Sequence, residues 1–267
     1  METRTIRLVM KYDGSNFKGF QKQKREGLET VQDMLEGIIR QVLGEDVKTT
    51  GCGRTDTGVH ALMQTVSFKC RSDKPASEMK RAFNALFRGK AVITSAEDAP
   101  EGFSARFSAK SRTYRYYILN RREHPVIGGA YVYAVRDRLD IRAMKEAARL
   151  FVGEKDFKGF STCVEDGRPT IRRVISSEVY TGPEIERLMG GFEIPVISGW
   201  RDDMVVYEVT ANGFLRSMVR MMTGMLIRIG RGQSRKSDIE EIIRTRDSSL
   251  VHSPAPPNAL FLASAEY

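Results

Sequence analysis

The strongest constraint on the fold is an order of strand and helix patterns that occurs twice along the chain. In the first half, Ile6, Leu8, Met10 and Tyr12 take alternate positions, as in a half-buried strand. The patterns that follow are a helix over 31–43, a strand over 66–70, an amphipathic helix over 79–87 and a strand over 91–95. With the glycine-rich segment 51–58 between them, we assign this half the order βαββαβ, a split βαβ unit.

The first helix has clear end signals. Thr30 stands where a side chain can cap the first turn, and Asp33 follows three residues later. Gly44 comes directly after the last apolar position and is typical of a helix end. These signals make residues 31–43 the best-defined element of the sequence.

The second half repeats the order with longer connections. It predicts a strand over 113–119, a helix over 140–151, strands around 171–180 and 204–211, a long helix over 215–229 and a strand over 259–265. A further helix near Asp238–Arg244 is predicted to begin with a capping box formed by Ser237 and Glu240.

Two similar halves predict a duplicated α+β fold whose two sheets join across a shared cleft. Pro100, Glu101 and Gly102 interrupt the pattern between the halves. We therefore expect an N-terminal α+β domain of residues 1–105 and a C-terminal α+β domain of residues 106–267. The cleft between them is the expected functional site.

The charge balance favours a polyanionic partner. Lys and Arg total 43 against 34 Asp and Glu, which gives a net charge of +9. Such a surface attracts nucleic acid through phosphate neutralisation, although charge alone does not distinguish nucleic acid from other partners. The net charge therefore indicates binding to a partner and does not indicate which reaction, if any, the protein catalyses.

The sequence does not predict a membrane span or a metal site. No stretch has the apolar length of a spanning helix, and the first residues alternate charged and apolar side chains where a signal peptide would be continuously apolar. We therefore expect a cytoplasmic protein. Cys52, Cys70 and Cys163 form no C-x-x-C pair, and the chain has only 3 histidines, so we expect no metal ligands.

The densest cluster of chemically capable residues lies in the segment GCGRTDTGVHA, residues 51–61, which we call the aspartate loop. Its glycines allow close backbone approach or positive φ, and side chains on such loops often act on ligands. A phosphate-binding P-loop is excluded, because Val59 and His60 stand where lysine and a hydroxyl residue are required. A structural alternative stays open, in which Asp56 only hydrogen-bonds to local backbone in an Asx-type turn.

Within this loop, GRTDTGVHA resembles the active-site motif of the tRNA pseudouridine synthase A (TruA) family, whose usual form is GRTDAGVHA. Three further segments are similar to that family: YDGSNFKGFQKQ from Tyr12, FSARFSAKSRTYRYYILN from Phe103 and ANGFLRSMVRMMTGMLIRIG from Ala211. FVGEKDFKGFST from Phe151 is similar as well. Thr57, Phe20 and Ser104 depart from the residues that the family usually carries there, which are alanine, tryptophan and histidine.

The resemblance implies a pseudouridine synthase fold with a central RNA-binding cleft, and an isomerase that converts uridine to pseudouridine in the anticodon arm of tRNA. The reaction breaks the bond between ribose and base nitrogen and rejoins the base through carbon, so no cofactor is required. Asp56 would be the catalytic carboxylate, because a carboxylate can attack covalently or remove a ribose proton.

The resemblance also implies substrate-binding roles for Arg54, Tyr114 and Arg220. Arg54 would fill the space left by the flipped uridine, Tyr114 would stack on that base, and Arg220 would pair with the catalytic aspartate. Each has a simpler alternative: Arg54 contacts phosphate, Tyr114 packs within its strand, and Arg220 reaches solvent from a helix edge.

Two basic stretches with interleaved aromatic residues suit RNA contact. They comprise Phe17, Lys18, Phe20, Lys22, Lys24 and Arg25, and then Lys110, Arg112, Arg115, Tyr116, Tyr117, Arg121 and Arg122. An ordinary solvated face is the alternative meaning of such runs. By resemblance we expect tRNA as partner and a homodimer.

Two other functions compete with this one. A noncatalytic RNA-binding protein of the same fold would not need a carboxylate facing a polyanion. A carboxylate-dependent hydrolase would need a second acid or base at a defined separation, and the sequence shows no such pair. His60 is expected to be structural, since the isomerisation does not require an imidazole.

Overall fold

The chain alternates strands with helices in a computed structural model. The structure describes residues 2–23, 29–163, 167–182, 184–185, 187, 200–251 and 253–267. The strands are β1 (Arg4–Tyr12), β2 (Thr50–Gly51), β3 (His60–Cys70), β4 (Ala91–Ala99), β5 (Ser111–Asn120), β6 (Tyr133–Val135), β7 (Gly153–Asp156), β8 (Ile171–Thr181), β9 (Met204–Ala211) and β10 (Leu260–Glu266). The α-helices of these ranges are α1 (Val31–Leu43), α2 (Ala76–Leu86), α3 (Ile141–Arg149), α4 (Met218–Gly230) and α5 (Lys236–Thr245).

These elements form two compact units. The first contains the chain up to Arg112 together with Phe261–Tyr267, and the second contains Thr113–Leu260. The last strand therefore belongs almost entirely to the first unit. The division of the sequence into residues 1–105 and 106–267 stays a prediction, as does the cleft expected between those halves.

In the first unit, β1 lies between β4 and β3 and is antiparallel to both. β2 pairs antiparallel with β3, and β10 joins β3 in parallel, with Phe261 beside His60. The alternate residues of β1 that the sequence singles out are all buried, because the period-two pattern turns them to the same face.

The ends of α1 are those that the sequence predicts. The Thr30 hydroxyl accepts a hydrogen bond from the Asp33 backbone N–H at 3.1 Å and donates to Asp33 Oδ2 at 2.6 Å. Gly44 closes the helix at φ +72°, a left-handed conformation that glycine adopts without strain. Val31, Leu35, Ile38 and Ile39 form the buried side of this helix.

The second unit has the strand order β5-β9-β8-β7, with β6 parallel to the end of β5. The first unit places its corresponding strands in the order β1-β3-β2. The order β1-β3-β2 in the first unit thus corresponds to β5-β9-β8 in the second. In each case the first strand of the repeat lies next to the third, and the second strand lies beyond the third. The predicted α+β class and the repeated βαββαβ order are confirmed.

Two predicted helix starts are wrong. α4 begins at Met218 and not at 215, because Ser217 takes a left-handed φ of +58° that helical backbone cannot continue through. α5 begins earlier than predicted, and its cap is Arg235, whose backbone N–H donates to Asp238 Oδ2 at 2.9 Å. Ser237 therefore lies inside the helix and is not its cap.

Within the described ranges, no helix combines the length and the apolar character needed to cross a membrane.

Replacing the α1 cap tests this account of the first helix. Thr30→Ala removes a buried hydroxyl that bonds the Asp33 backbone and side chain, so the free energy of unfolding should fall by about 1 kcal/mol. Urea denaturation measures it. Thr3→Ala, at an exposed position, is the matched control and should leave the midpoint unchanged. Equal stability of the two variants would show that the cap does not stabilise α1.

Candidate active site

The aspartate loop connects β2 to β3 and turns sharply at Asp56. The Val59 backbone N–H donates to the Asp56 carbonyl at 3.1 Å, and Gly58 takes φ +78° within the turn. A side chain at this φ would be strained, so the glycine is required by the turn. The other end of the loop is held by Cys52, whose backbone N–H donates to the Thr65 carbonyl at 2.8 Å.

The side chain of Gln64 holds the first part of the loop from within β3. Gln64 is fully buried, and its Nε2 donates to the Gly53 carbonyl at 2.8 Å. Its Oε1 accepts from the Gly53 backbone N–H at 3.4 Å and from Cys52 Sγ at 2.9 Å. The orientation of the carboxamide is thereby fixed, because the Gly53 carbonyl needs a donor and its N–H needs an acceptor.

Tyr12 connects this carboxamide to the residue before the aspartate. The Tyr12 hydroxyl accepts from Gln64 Nε2 at 3.3 Å and lies 2.8 Å from Thr55 Oγ1, with which it shares a hydrogen bond. All three side chains are buried. Since buried polar groups are costly unless they are bonded, the network has few alternative arrangements and fixes Thr55 beside Asp56.

Burial keeps two members of this network protonated at neutral pH. It raises the pKa of the Tyr12 hydroxyl well above its ordinary value, against the opposing hydrogen bonds from Thr55 and Gln64. Burial also raises the pKa of the Cys52 thiol. Cys52 therefore remains a thiol that can donate to Gln64, because burial outweighs the Thr65 hydrogen bond and the Arg112 charge, which act to lower its pKa.

The segment that follows β1 supports the loop from its other side. A Cβ on Gly14 would lie 2.2 Å from the Val59 carbonyl oxygen, and one on Gly19 would lie 2.9 Å from the Thr55 carbonyl oxygen. The Phe20 backbone N–H donates to that same Thr55 carbonyl at 3.1 Å. These contacts give a physical reason for the glycines of the YDGSNFKGF motif, since any side chain there would push the loop away.

Phe20, where the resembled family usually carries tryptophan, is buried beneath the loop. A Cβ on Gly51 would come within 2.5 Å of its ring, so the ring lies directly against that glycine. The Phe20 carbonyl accepts from the Gln32 backbone N–H at 2.9 Å, which links the loop to the start of α1. The residue therefore packs inside the first unit.

His60 is also buried and fits a structural role. Its Nδ1 accepts from the Gly14 backbone N–H at 3.0 Å and lies 3.1 Å from Asp13 Oδ1. Its ring stacks on Phe261 of β10, with 4.5 Å between the ring centroids. The imidazole thus joins the segment after β1, the aspartate loop and the last strand of the chain.

Arg112 is a structural residue, and the prediction that it lies in a basic stretch facing RNA is wrong. Its side chain is buried, and Nε donates to the Cys52 carbonyl at 3.0 Å. Nη1 donates to the Ala109 carbonyl at 3.0 Å, and Nη2 donates to the Arg106 carbonyl. The guanidinium therefore clamps the aspartate loop to the turn before β5.

Other members of that stretch are also held by the protein. Tyr116 and Tyr117 point to opposite faces of β5 and are both fully buried, so both faces of the strand are covered there. Arg115 is half-buried and pairs with Glu208 of β9 at 2.6 Å. In the earlier basic stretch, Lys18 and Lys22 are exposed, while Lys24 and Arg25 lie outside the described residues.

The predicted site residues of the first unit differ in exposure. Asp56 is half-buried in the turn described above, and Arg54, two residues earlier, is exposed. Their neighbours Thr55 and Gly53 are the residues that the buried network holds. Asp56 is therefore carried on a backbone with little freedom, while Arg54 extends from the same loop toward solvent.

Tyr114 lies in β5 of the second unit and is mostly buried. Its ring packs edge-on against Phe214, with 5.1 Å between the centroids. Its neighbours in β5 tie the strand to β9, through the bond of 2.8 Å between the Thr113 and Thr210 hydroxyls and through the Arg115–Glu208 pair. The position of this tyrosine is thus set by both its strand and its ring contact.

Arg220 lies in the first turn of α4, also in the second unit. Its Nε donates to the Ala255 carbonyl at 2.7 Å, and the Ala255 backbone N–H donates to the Arg220 carbonyl at 2.9 Å. This reciprocal pair orients the half-buried guanidinium. A Cβ on Gly224, one turn later, would lie 2.6 Å from the Ser253 carbonyl oxygen, so the helix approaches this backbone closely.

The structure thus brings Asp56 and Arg54 together on one loop and carries Tyr114 and Arg220 in the second unit. The roles assigned to these four residues stay predictions. Gln64, Tyr12 and Arg112 support the loop, and their sequence patterns do not indicate this. Gln64 gave one signal, since it is a polar residue at a position of β3 that shares a face with Val66 and Phe68.

Over the described part of the chain, no group of three or more His, Cys, Asp or Glu side chains is arranged to hold a metal ion.

Comparison with known proteins gives a match over most of the chain. A family profile described as tRNA pseudouridine synthase matches residues 8–108 and 147–267. The chain is 37% identical to tRNA pseudouridine synthase A of Ruminiclostridium cellulolyticum, over 99% of this chain and 100% of that protein. It is 34% identical to the protein of the same name from Caldicellulosiruptor bescii, with the same coverage. A crystal structure of a Cbf5-Nop10-Gar1 complex aligns with a TM-score of 0.29 at 12% identity, over 86% of this chain and 55% of that one, which is too weak to support an argument.

The Tyr12 hydroxyl provides a test of the network. Tyr12→Phe removes the buried partner of the Thr55 hydroxyl and of one of the two Gln64 Nε2 hydrogens, while the other hydrogen keeps its bond to Gly53, so the free energy of unfolding should fall by about 1–3 kcal/mol. Backbone amides of residues 53–56 should exchange with solvent faster than in the wild type. Hydrogen exchange with mass spectrometry measures the second effect.

Tyr133→Phe serves as the control, since this tyrosine is half-buried in the second unit. It should alter neither quantity. If Tyr12→Phe left both stability and exchange unchanged, the network would not be what fixes the loop.

Proposed function

This chain belongs to the tRNA pseudouridine synthase family, and we propose on that basis that it is an isomerase converting uridine to pseudouridine in tRNA. The single observation that carries the proposal is the match over nearly the whole chain to proteins of that name. It is supported by the arrangement of the aspartate loop, in which a buried network holds the residues on one side of Asp56.

The chemistry requires a group that acts on the ribose–base linkage and is then released. The bond from ribose C1′ to base N1 breaks, the base turns, and a bond from C1′ to C5 forms. The hydrogen on C5 leaves to water while N1 gains one, so atoms and electrons balance without a redox partner. We assign the first step to Asp56, whose carboxylate either attacks covalently or removes a ribose proton.

Three further residues are proposed to bind the substrate. Arg54, exposed on the aspartate loop, would occupy the space that the target uridine leaves when it turns out of its helix. Tyr114 would stack on the extruded base. Arg220, oriented by Ala255, would pair with the Asp56 carboxylate and hold it in the correct orientation.

The finer parts of the proposal concern the setting of the reaction. We propose uridines of the anticodon arm as targets, a homodimer as the working form and the cytoplasm as the compartment. The net charge of +9 supports a polyanionic substrate through counterion release. A noncatalytic RNA-binding protein is not favoured, because the relatives that match the full chain are named as synthases.

Tritium release tests the reaction and its carboxylate together. The wild type, incubated with chelator and no added cofactor, should release tritium from tRNA labelled at uridine C5. Asp56→Asn should lower the single-turnover rate by about 10³-fold or more, because the amide neither attacks nor accepts a proton, while tRNA binding persists. Asp46→Asn is the matched control, since Asp46 is an exposed aspartate of the same unit.

A normal rate for Asp56→Asn would remove Asp56 from the mechanism. Tight tRNA binding without tritium release by the wild type would favour the noncatalytic alternative instead.

The role of Tyr114 is separable from its packing. Tyr114→Ala should lower the single-turnover rate by about 10-fold or more and change tRNA affinity less, because a stacking partner of the flipped base is lost. Tyr114→Phe keeps the contact with Phe214 and tests the hydroxyl alone. Thermal melting of both variants reports packing. If Tyr114→Ala reacted at the wild-type rate with saturating enzyme, the stacking role would be wrong.

A further inference from the structure

An arginine-lined pocket opens where two parallel strands of the second unit end. β5 and β6 pair in parallel, with Ile118 beside Tyr133 and Asn120 beside Val135. Residues that follow the two strands therefore emerge at the same edge of the sheet. They surround an open pocket of about 830 Å³ lined by Asn120, Arg121, Arg122, Arg136, Asp137 and Arg138.

The walls of this arginine pocket are held by one carboxamide. Asn120 Nδ2 donates to the Val135 carbonyl at 2.9 Å and to the Asp137 carbonyl at 2.7 Å. Its Oδ1 accepts from the Leu139 backbone N–H at 3.1 Å. The segment after β6 is thus fixed against the end of β5, which places the arginines of both segments around one opening.

The positive charge of the pocket is only partly neutralised by the protein. Asp137 pairs with Arg231 at 2.9 Å, and Arg121 lies 3.3 Å from Glu123 and 3.8 Å from Asp203. The remaining three, Arg122, Arg136 and Arg138, are exposed. Among the residues that the structure describes, their guanidinium groups have no hydrogen-bond or ion-pair partner. Several like charges around one opening are unfavourable by themselves and favour an anionic ligand.

Phosphate is the anion that suits this arrangement. Guanidinium groups bind phosphate oxygens through paired N–H donors, and an open pocket admits a backbone that continues past it. Tyr114 and Asn120 are both in β5, so about 20 Å separate the proposed base-stacking residue from the pocket. A nucleotide at that distance cannot be the one that reacts.

We propose that the arginine pocket binds backbone phosphates of the tRNA outside the arm that carries the target uridine. This inference rests on the proposed function for the identity of the RNA. The pocket adds affinity for the whole tRNA without touching the reacting base, and it thereby distinguishes an intact tRNA from an isolated stem-loop.

The test removes the three exposed arginines whose guanidinium groups form no hydrogen bond or ion pair within the described part of the chain. Arg122→Gln, Arg136→Gln and Arg138→Gln are combined, and dissociation constants are measured for full-length tRNA and for its isolated anticodon stem-loop. For full-length tRNA we expect about tenfold weaker binding at about 0.1 M salt, with the slope of log K against log salt reduced by about 2. Binding of the stem-loop and the single-turnover rate at saturating enzyme should not change.

A matched control removes the same charge elsewhere, through Arg40→Gln, Arg71→Gln and Arg149→Gln at exposed positions. It should weaken binding of both RNAs little and equally. An unchanged slope and affinity in the pocket variant, with normal tritium release, would overturn the pocket proposal and leave the proposed function intact. Equal weakening for tRNA and stem-loop would also overturn it. Absence of tritium release by the wild type would instead overturn the proposed function.

Discussion

The position of the aspartate loop depends on the hydrogen bonds of one buried carboxamide, that of Gln64. A glutamine in the interior of a strand is unfavourable unless its donors and acceptor are all bonded, and Gln64 meets that condition only with the loop in its present place. Its partners come from two other parts of the chain, the loop itself and Tyr12 at the end of β1. Displacing the loop would break several buried hydrogen bonds at once, which opposes its movement.

The elements of this fold could be predicted because their signals are local. Periodicity located α1 and the second part of β3, and the residues Thr30 and Gly44 marked the ends of α1, since each acts through neighbours a few positions away. The first residues of β3, from His60, were not predicted as strand. The start of α4 could not be predicted in this way. It depends on the left-handed backbone of Ser217, and the apolar pattern continues unchanged through that residue.

The supports of the candidate site are hidden from sequence for a different reason. Arg112 is a basic residue in a basic and aromatic stretch, which is typical of an RNA contact. Only the folded chain shows that its side chain donates to the Cys52 carbonyl. Tyr12 likewise fits a strand pattern, while its function depends on Thr55, far along the chain. Asp56 was identified through the resemblance of its motif to a known family. Hydrophobic periodicity indicates secondary structure and does not identify catalytic residues. A single sequence therefore does not show which residues distant along the chain form hydrogen bonds with each other.

The return of β10 to the first unit has a consequence for biosynthesis. Phe261, on which His60 stacks, leaves the ribosome only after the entire second unit has been made. Most of the first unit can collapse early, because domains tend to fold as they emerge, yet the edge of β3 must wait for its parallel neighbour. During that interval the nascent chain carries an open strand edge beside its aspartate loop, so the first unit is completed only after the second unit has been made.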